Sequence, residues 1–158
     1  MIPGKIIHFL DRANVGHAGT RDRKLVPHGH RVCGWALAPD GRTLTVLVPE
    51  GGREHLIESL EDNGQLAVTI EEYPRHEAYQ FKGRYVRHRQ VTQEDAEIAQ
   101  RVRENFMASV LPIAGEVAVH ALRAFVQSPV VAVDVDVREV YLQTPGPGAG
   151  ARLVPKEA

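Results

Sequence analysis

A chain of 158 residues, 43% hydrophobic and 25% charged, is long enough for one domain with a real core and ordinary for a globular protein. A net charge of −1 excludes broad electrostatic attraction to nucleic acid or an anionic membrane, and the single Cys33 excludes an internal disulfide and fits a reducing, cytoplasmic setting. The opening "MIPGKIIHFL" holds too short an apolar run for a signal-peptide core, and no stretch approaches the ~20 apolar residues of a membrane span.

In chain order, residues 15 to 22 and 25 to 37 read as strands. "APDGR" (38 to 42) is a hairpin turn with Asp40-Gly41 in the preferred dipeptide, and the β-branched "TLTVLV" (43 to 48) follows as a third strand. The period then changes. Leu56, Ile57 and Leu60 share one helical face, Glu54, Glu58 and Glu61 point away from it, and Asn63-Gly64 closes the helix. "QLAVTIE" (65 to 71) returns to strand, and so does "AYQFKGRYVRHRQV" (78 to 91), with Tyr79, Phe81 and Tyr85 on one face and Gln80, Lys82 and Arg84 on the other.

Thr92-Gln-Glu-Asp95 is a capping box opening a helix with Ala99, Val102 and Phe106 as its stripe. A second helix is predicted over 114 to 126, with Val117, Ala121 and Phe125 inward. In the last strand Val131, Val133, Val135 and Val137 alternate with polar or small residues, and then the apolar phase slips to Val140 and Leu142. Such a slip marks a bulge, the device that bends strands around small barrels. "LQTPGPGAG" (142 to 150) spaces its glycines unlike a dinucleotide loop. Only "ARLVPKEA" follows it, and Pro145 and Pro147 remove amide donors, so it does not hold a nucleotide. The division is a domain over 1–142 and a Gly/Pro-rich tail over 143–158, ordered by contacts rather than by secondary structure of its own. Long hairpins predict a mainly β fold with flanking helices, a six-stranded antiparallel barrel.

"HRVCGWALAPDGRTLTVLVPEGGREHLIESLEDNGQLAVTI" followed by "YQFKGRYV" resembles the FMN-binding split-barrel superfamily related to pyridoxamine 5′-phosphate oxidase. The similarity lies in the order and spacing of elements over roughly 13 to 142. It implies a split barrel, a homodimer and FMN bound where two barrels meet. The oxidase's run of an Arg and apolar residues whose backbone borders the flavin corresponds to Arg31-Val32-Cys33-Gly34. Its pair of phosphate-gripping cations falls on Arg53 and Glu54, the second a carboxylate here. Its flavin-approaching Gln falls near Gln80. Val48 and Gly52 join the implied cofactor set, as does Lys82, whose charge beside the ring would stabilise anionic reduced flavin. The oxidase's C-terminal substrate segment has no counterpart in the tail, so the resemblance is to a relative distinct from the oxidase itself.

From the residues alone, Gly51-Gly52-Arg53 before a helix is either a phosphate cradle or a turn with a solvated Arg. Arg31, on a face with Cys33 and Trp35, is either a phosphate clamp or an edge residue covering apolar surface with its stem. Cys33 reads as packing. "HGH" (28 to 30) has no third ligand at useful spacing, so no metal site is expected, and no catalytic acid or base stands out. Trp35 and a surplus of apolar positions point to a homodimer. The combined expectation is a cytoplasmic FMN protein, a flavin-dependent oxidoreductase of a small substrate. The alternative is a non-enzymatic flavin- or haem-binding, stress-associated module, the haem resting on eight histidines.

Overall fold

The computed structural model describes residues 2–51, 53–124 and 127–154. Helix α1 (Gly4–Arg12) leads into strands β1 (Val15–Arg21), β2 (Pro27–Val32), β3 (Gly34–Leu37) and β4 (Thr43–Pro49). Helix α2 (Arg53–Asn63), strands β5 (Gln65–Glu72) and β6 (Glu77–Gln90), helix α3 (Gln93–Ala124) and strands β7 (Pro129–Leu142) and β8 (Arg152–Val154) follow. One antiparallel sheet runs β2-β1-β5-β6-β7-β4-β3, with β8 added to β7. Only Cys33 separates β2 from β3, yet they stand at opposite ends of that order, so the sheet has to curl into a half-barrel. The mainly β, antiparallel expectation holds. The count of six does not, because the run read as one strand over 25 to 37 divides at Cys33.

That division changes which side chains face the core. Val32 and Trp35 both enter the main core, while Cys33 and Ala36 turn to a smaller cluster with Leu47, Ile98, Ala99 and Ala132 under α3. Arg31 is exposed and Trp35 is 2% exposed, so the two do not share a face. Trp35 is not a dimer surface either. Its indole N–H donates to the Leu10 carbonyl at 3.0 Å, and its ring lies where a Cβ on Gly16 would stand, 2.7 Å away. Helix α1, which the linear reading left unassigned, buries Ile6, Phe9 and Leu10 and sets Phe9 edge-on to Tyr79 at 4.8 Å.

Other local expectations stand. Asp40 accepts from the amides of Arg42 and Thr43, and Gly41 takes a positive φ of 66° in the hairpin turn. Gly64 closes α2 at φ 66°, its N–H donating to Leu60. Thr92 and Asp95 exchange the reciprocal bonds of a capping box. The slip in β7 is a bulge at Arg138, since Lys82 pairs with Glu139 and Gly83 with Val137. A Cβ on Gly83 would stand 2.3 Å from the Asp136 carbonyl oxygen, so this close approach requires glycine.

Helix α3 is two helical runs meeting at Gly115, whose φ of 78° and ψ of 175° break the backbone where two helices were expected to divide. Its second run is oriented differently from the expectation. Val119 is buried, while Val117 is 85% exposed and Ala121 is exposed; Phe125 lies outside the described residues. By length and composition alone, Gln93–Arg123 could cross a membrane, contrary to the linear reading. The break at Gly115 interrupts the continuous backbone bonding a span needs. The tail also gains a strand, β8, which pairs Arg152 with Tyr141 and Val154 with Val140.

Candidate functional site

The strand registers assemble a row of side chains on the outer face of the sheet. Arg31 (β2) lies opposite His17 (β1), His17 opposite Thr69 (β5), Thr69 opposite Gln80 (β6), and Gln80 opposite Tyr141 (β7). Antiparallel partners share a face, and strands lie ~4.8 Å apart, so Arg31 and Gln80 are about 14 Å apart along the sheet. The next row is Gly29, Gly19, Ala67, Lys82 and Glu139. Three small residues there leave a flat floor beside the polar row, a surface on which a planar ring can lie.

Gln80 donates to the Thr69 hydroxyl at 3.1 Å, which fixes its amide, and the Lys82 ammonium sits 4.7 Å from the centre of the Tyr141 ring. Arg31 is exposed, with no hydrogen-bond or ion-pair partner among the described residues. The Cys33 N–H donates to Leu47, Gly34 pairs with Leu47, and β2 runs on against β4. Arg31 and the β4–α2 connection are therefore at the same end of the barrel, and Arg53 opens the helix there.

The remaining expected residues are placed differently. Val32 and Val48 are buried in the core, so only their backbones could border a ligand. Gly34 is held by packing, since a Cβ there would meet Leu47 at 2.9 Å and the Ala99 backbone of α3 at 3.2 Å. Cys33 lies beneath α3, and burial pushes its thiol up to about 11, an unreactive state that agrees with the packing role. Gly52 lies outside the described residues.

Arg53 pairs with Glu50 at 3.3 Å and lines a cleft of about 650 Å³ between α2 and the ends of β6 and β7. Glu54, Glu58 and Glu61 point away from the core as expected, but they form one wall of this cleft, facing His88 and Arg89. A second cleft, about 480 Å³, opens on the outer sheet face beside Lys82.

Two features escaped the linear reading. His17 stands in the middle of the outer row, a placement visible only once β1 is paired with both β2 and β5. His28, His30 and His55 gather under α2. The His28 and His55 rings stack at 5.8 Å, and His30 bonds the Thr20 hydroxyl at 3.2 Å. Burial, with His28 and His55 nearby, lowers the His30 pKa. No metal-binding group of His, Cys, Asp or Glu is found among the described residues.

The amino-acid sequence matches no protein-family model and no curated protein. Solved structures do match in fold. HupZ of Group A Streptococcus aligns with a TM-score of 0.57 at 17% identity, over 96% of this chain and 99% of that one. A pyridoxamine 5′-phosphate oxidase-related, FMN-binding protein of Nostoc punctiforme gives 0.55 at 14% identity, over 94% and 87%. An F420 reductase gives 0.53 at 14% identity, over 88% and 98%. The chain has the pyridoxamine 5′-phosphate oxidase-like split-barrel fold.

Proposed function

We propose that this protein binds FMN along the outer row of the sheet and uses it as an oxidoreductase on a small substrate. The observation that carries the reading is the row itself: Arg31 at the α2 end, unpaired among the described residues, a flat floor of Gly29, Gly19 and Ala67, and Gln80 and Lys82 at the far end. Its length is comparable with that of an extended flavin mononucleotide. Arg31 and Arg53 would hold the phosphate, Gln80 would orient the ring by hydrogen bonding, and Lys82 would favour negative charge on it. When bound, FMN supplies hydride transfer, while the protein supplies orientation and electrostatics.

The reading includes a homodimer and a cytoplasmic location. Leu111, Ile113 and Val117 of α3 are 43%, 58% and 85% exposed, an apolar surface suited to a second copy, and it takes over the part first given to Trp35. Light scattering should then show a dimer, and a particle of 17.5 kDa would count against it.

The absorbance spectrum of freshly purified protein should show flavin bands. Arg53→Ala should weaken FMN binding by roughly ten- to a hundredfold, the loss of one charge-assisted bond, and leave riboflavin unchanged. Equal losses for both ligands would remove Arg53 from the phosphate site. A second reading rests on His17, an exposed imidazole in the middle of the row and a ready axial ligand for haem. A Soret band in place of flavin bands, abolished by His17→Ala, would select it.

A further inference from the structure

We propose that the cleft on the outer sheet face between β1, β5, β6 and β7 is a second anion site. It would take the phosphate group of a small molecule, separately from the flavin phosphate at Arg31 and Arg53.

Four cations line it: Arg21, Lys82, Arg84 and Arg138. They arrive from three strands, and two devices put them there. Alternation along β6 sends Lys82 and Arg84 outward while Phe81 is buried. The bulge in β7 adds Arg138 to the side that already carries Asp136 and Glu139, and Arg138 pairs with Asp136. The floor is small: Gly19, Ala67 and Gly83 let a ligand approach the backbone.

The neighbouring carboxylates are already engaged. Asp136 is bound by Arg42 and by Arg138, and Glu139 accepts from the Tyr141 hydroxyl and pairs with Arg152 at 2.7 Å. Arg84 donates to the Asn63 carbonyl at 2.9 Å and Arg21 to the Asp22 carbonyl at 3.4 Å, and neither has a carboxylate partner among the described residues. The Arg138 Nε has no acceptor among the described residues. Like charges around one cleft repel until an anion sits among them, and low-dielectric walls of one sign concentrate anions. Guanidinium forks from several directions suit the several acceptor oxygens of a phosphate better than a single carboxylate.

Inorganic phosphate and pyrophosphate, titrated calorimetrically into the full-length chain at low ionic strength, test this. The titrations are made in an Arg31→Ala/Arg53→Ala background so that neither cation of the flavin-phosphate site contributes. Phosphate should bind, and pyrophosphate at least tenfold more tightly. Arg84→Gln should weaken both by about tenfold or more, and Arg84→Lys by less. Both ligands should compete with each other, and FMN should weaken them in the wild-type protein, because Lys82 and the Gly19 and Ala67 floor are shared with the flavin ring while Arg21, Arg84 and Arg138 are not. Arg21→Gln, at the opposite wall, is the independent variant should Arg84→Gln fold poorly. Absence of binding, or binding that survives both substitutions, would overturn the site. Loss of FMN binding alone would overturn only the flavin reading.

Discussion

Two clefts of this barrel invert the usual relation between size and binding capacity. The larger, between α2 and the end of β6, contains Arg53 and Arg89, but it faces three glutamates, and both cations are engaged, Arg53 by Glu50 and Arg89 by Asp95. The smaller, on the outer sheet face, contains four cations, and its one lining carboxylate is occupied by Arg152. Space is abundant in the first and free charge in the second. An anionic ligand is selected by charge that the protein can still offer: the exposed Arg53–Glu50 pair is readily exchanged for a phosphate, whereas parting Arg89 from the buried Asp95 offsets what a new contact contributes.

The strongest way to break the comparison is to remove the bulge that builds the smaller cleft. Gly83→Ala places a methyl group 2.3 Å from a backbone oxygen that cannot yield without separating β6 from β7. It should cost about 3 kcal/mol, a fall in Tm of roughly 6–12 °C for a domain of this size. Gly29→Ala, on the outer sheet face with nothing within 4 Å of the new Cβ, should leave Tm nearly unchanged. Equal thermal shifts for the two would mean that the close approach at the bulge does not hold the sheet.

Next comes the tie on Arg89 in the larger cleft. Asp95 accepts a two-pronged bond from Arg89, and the amide and hydroxyl of Thr92 donate to it as well. These bonds, Arg89 foremost, hold its carboxyl down at about 2 against the opposing effect of burial. Because the folded value lies below the unfolded one, the contribution is fully present above about pH 4 and is lost as pH falls through about 2. Asp95→Asn should therefore cost about 1–3 kcal/mol at neutral pH, and the gap from wild type should close in that acid window. A gap that persisted at pH 2 would assign the loss to packing rather than to charge.

The capping box behind that prediction is legible in "TQED", as are the Asp40-Gly41 turn, the Asn63-Gly64 stop and the β7 bulge. Each is a local signal, decided by residues within a few positions of one another. What was not legible depends on distant partners. The break at Cys33 exists because β2 pairs with β1 and β3 with β4, so one continuous apolar run serves two edges of a closed sheet. Trp35 therefore points inward, against α1, and not toward a partner. The α1 stripe of Ile6, Phe9 and Leu10 has helical spacing, but "MIPGKIIHFL" is weighed in the sequence only against a signal-peptide core, for which its apolar run is too short. Of the candidate site, Arg31, Gln80 and Lys82 were named from the chain, but the row joining them needs five strands in register. Glu54 was seen as an intruder beside Arg53, although the wall it shares with Glu58 and Glu61 appears only when β6 closes the cleft.

That wall supplies a smaller perturbation. If Arg53 grips the flavin phosphate, Glu54 opposes it, and Glu54→Gln should tighten FMN binding about three- to tenfold at low salt, with the gain shrinking as ionic strength rises. Riboflavin, which lacks the phosphate, should not respond. A tightening of both ligands would mean that Glu54 acts on the ring or on the helix rather than on the phosphate.

The smallest expected effect belongs to the tail. Arg152 donates to the Tyr141 hydroxyl at 2.9 Å and pairs with Glu139, itself a lining residue of the outer cleft. The Arg152 side chain is 47% exposed, so its ion pair adds little to stability, and Arg152→Ala should leave Tm unchanged. Its consequence is electrostatic. Glu139 would lose the Arg152 cation, and more of its charge would then act on Lys82, its partner across the β6–β7 ladder. Phosphate affinity in the outer cleft should then fall by about threefold, the scale of one partly screened charge. Adding Glu139→Gln to Arg152→Ala should restore it, because both members of the pair are then neutral. A double variant as weak as the single one would show that the tail shapes the cleft through its backbone pairing with β7 and not through charge.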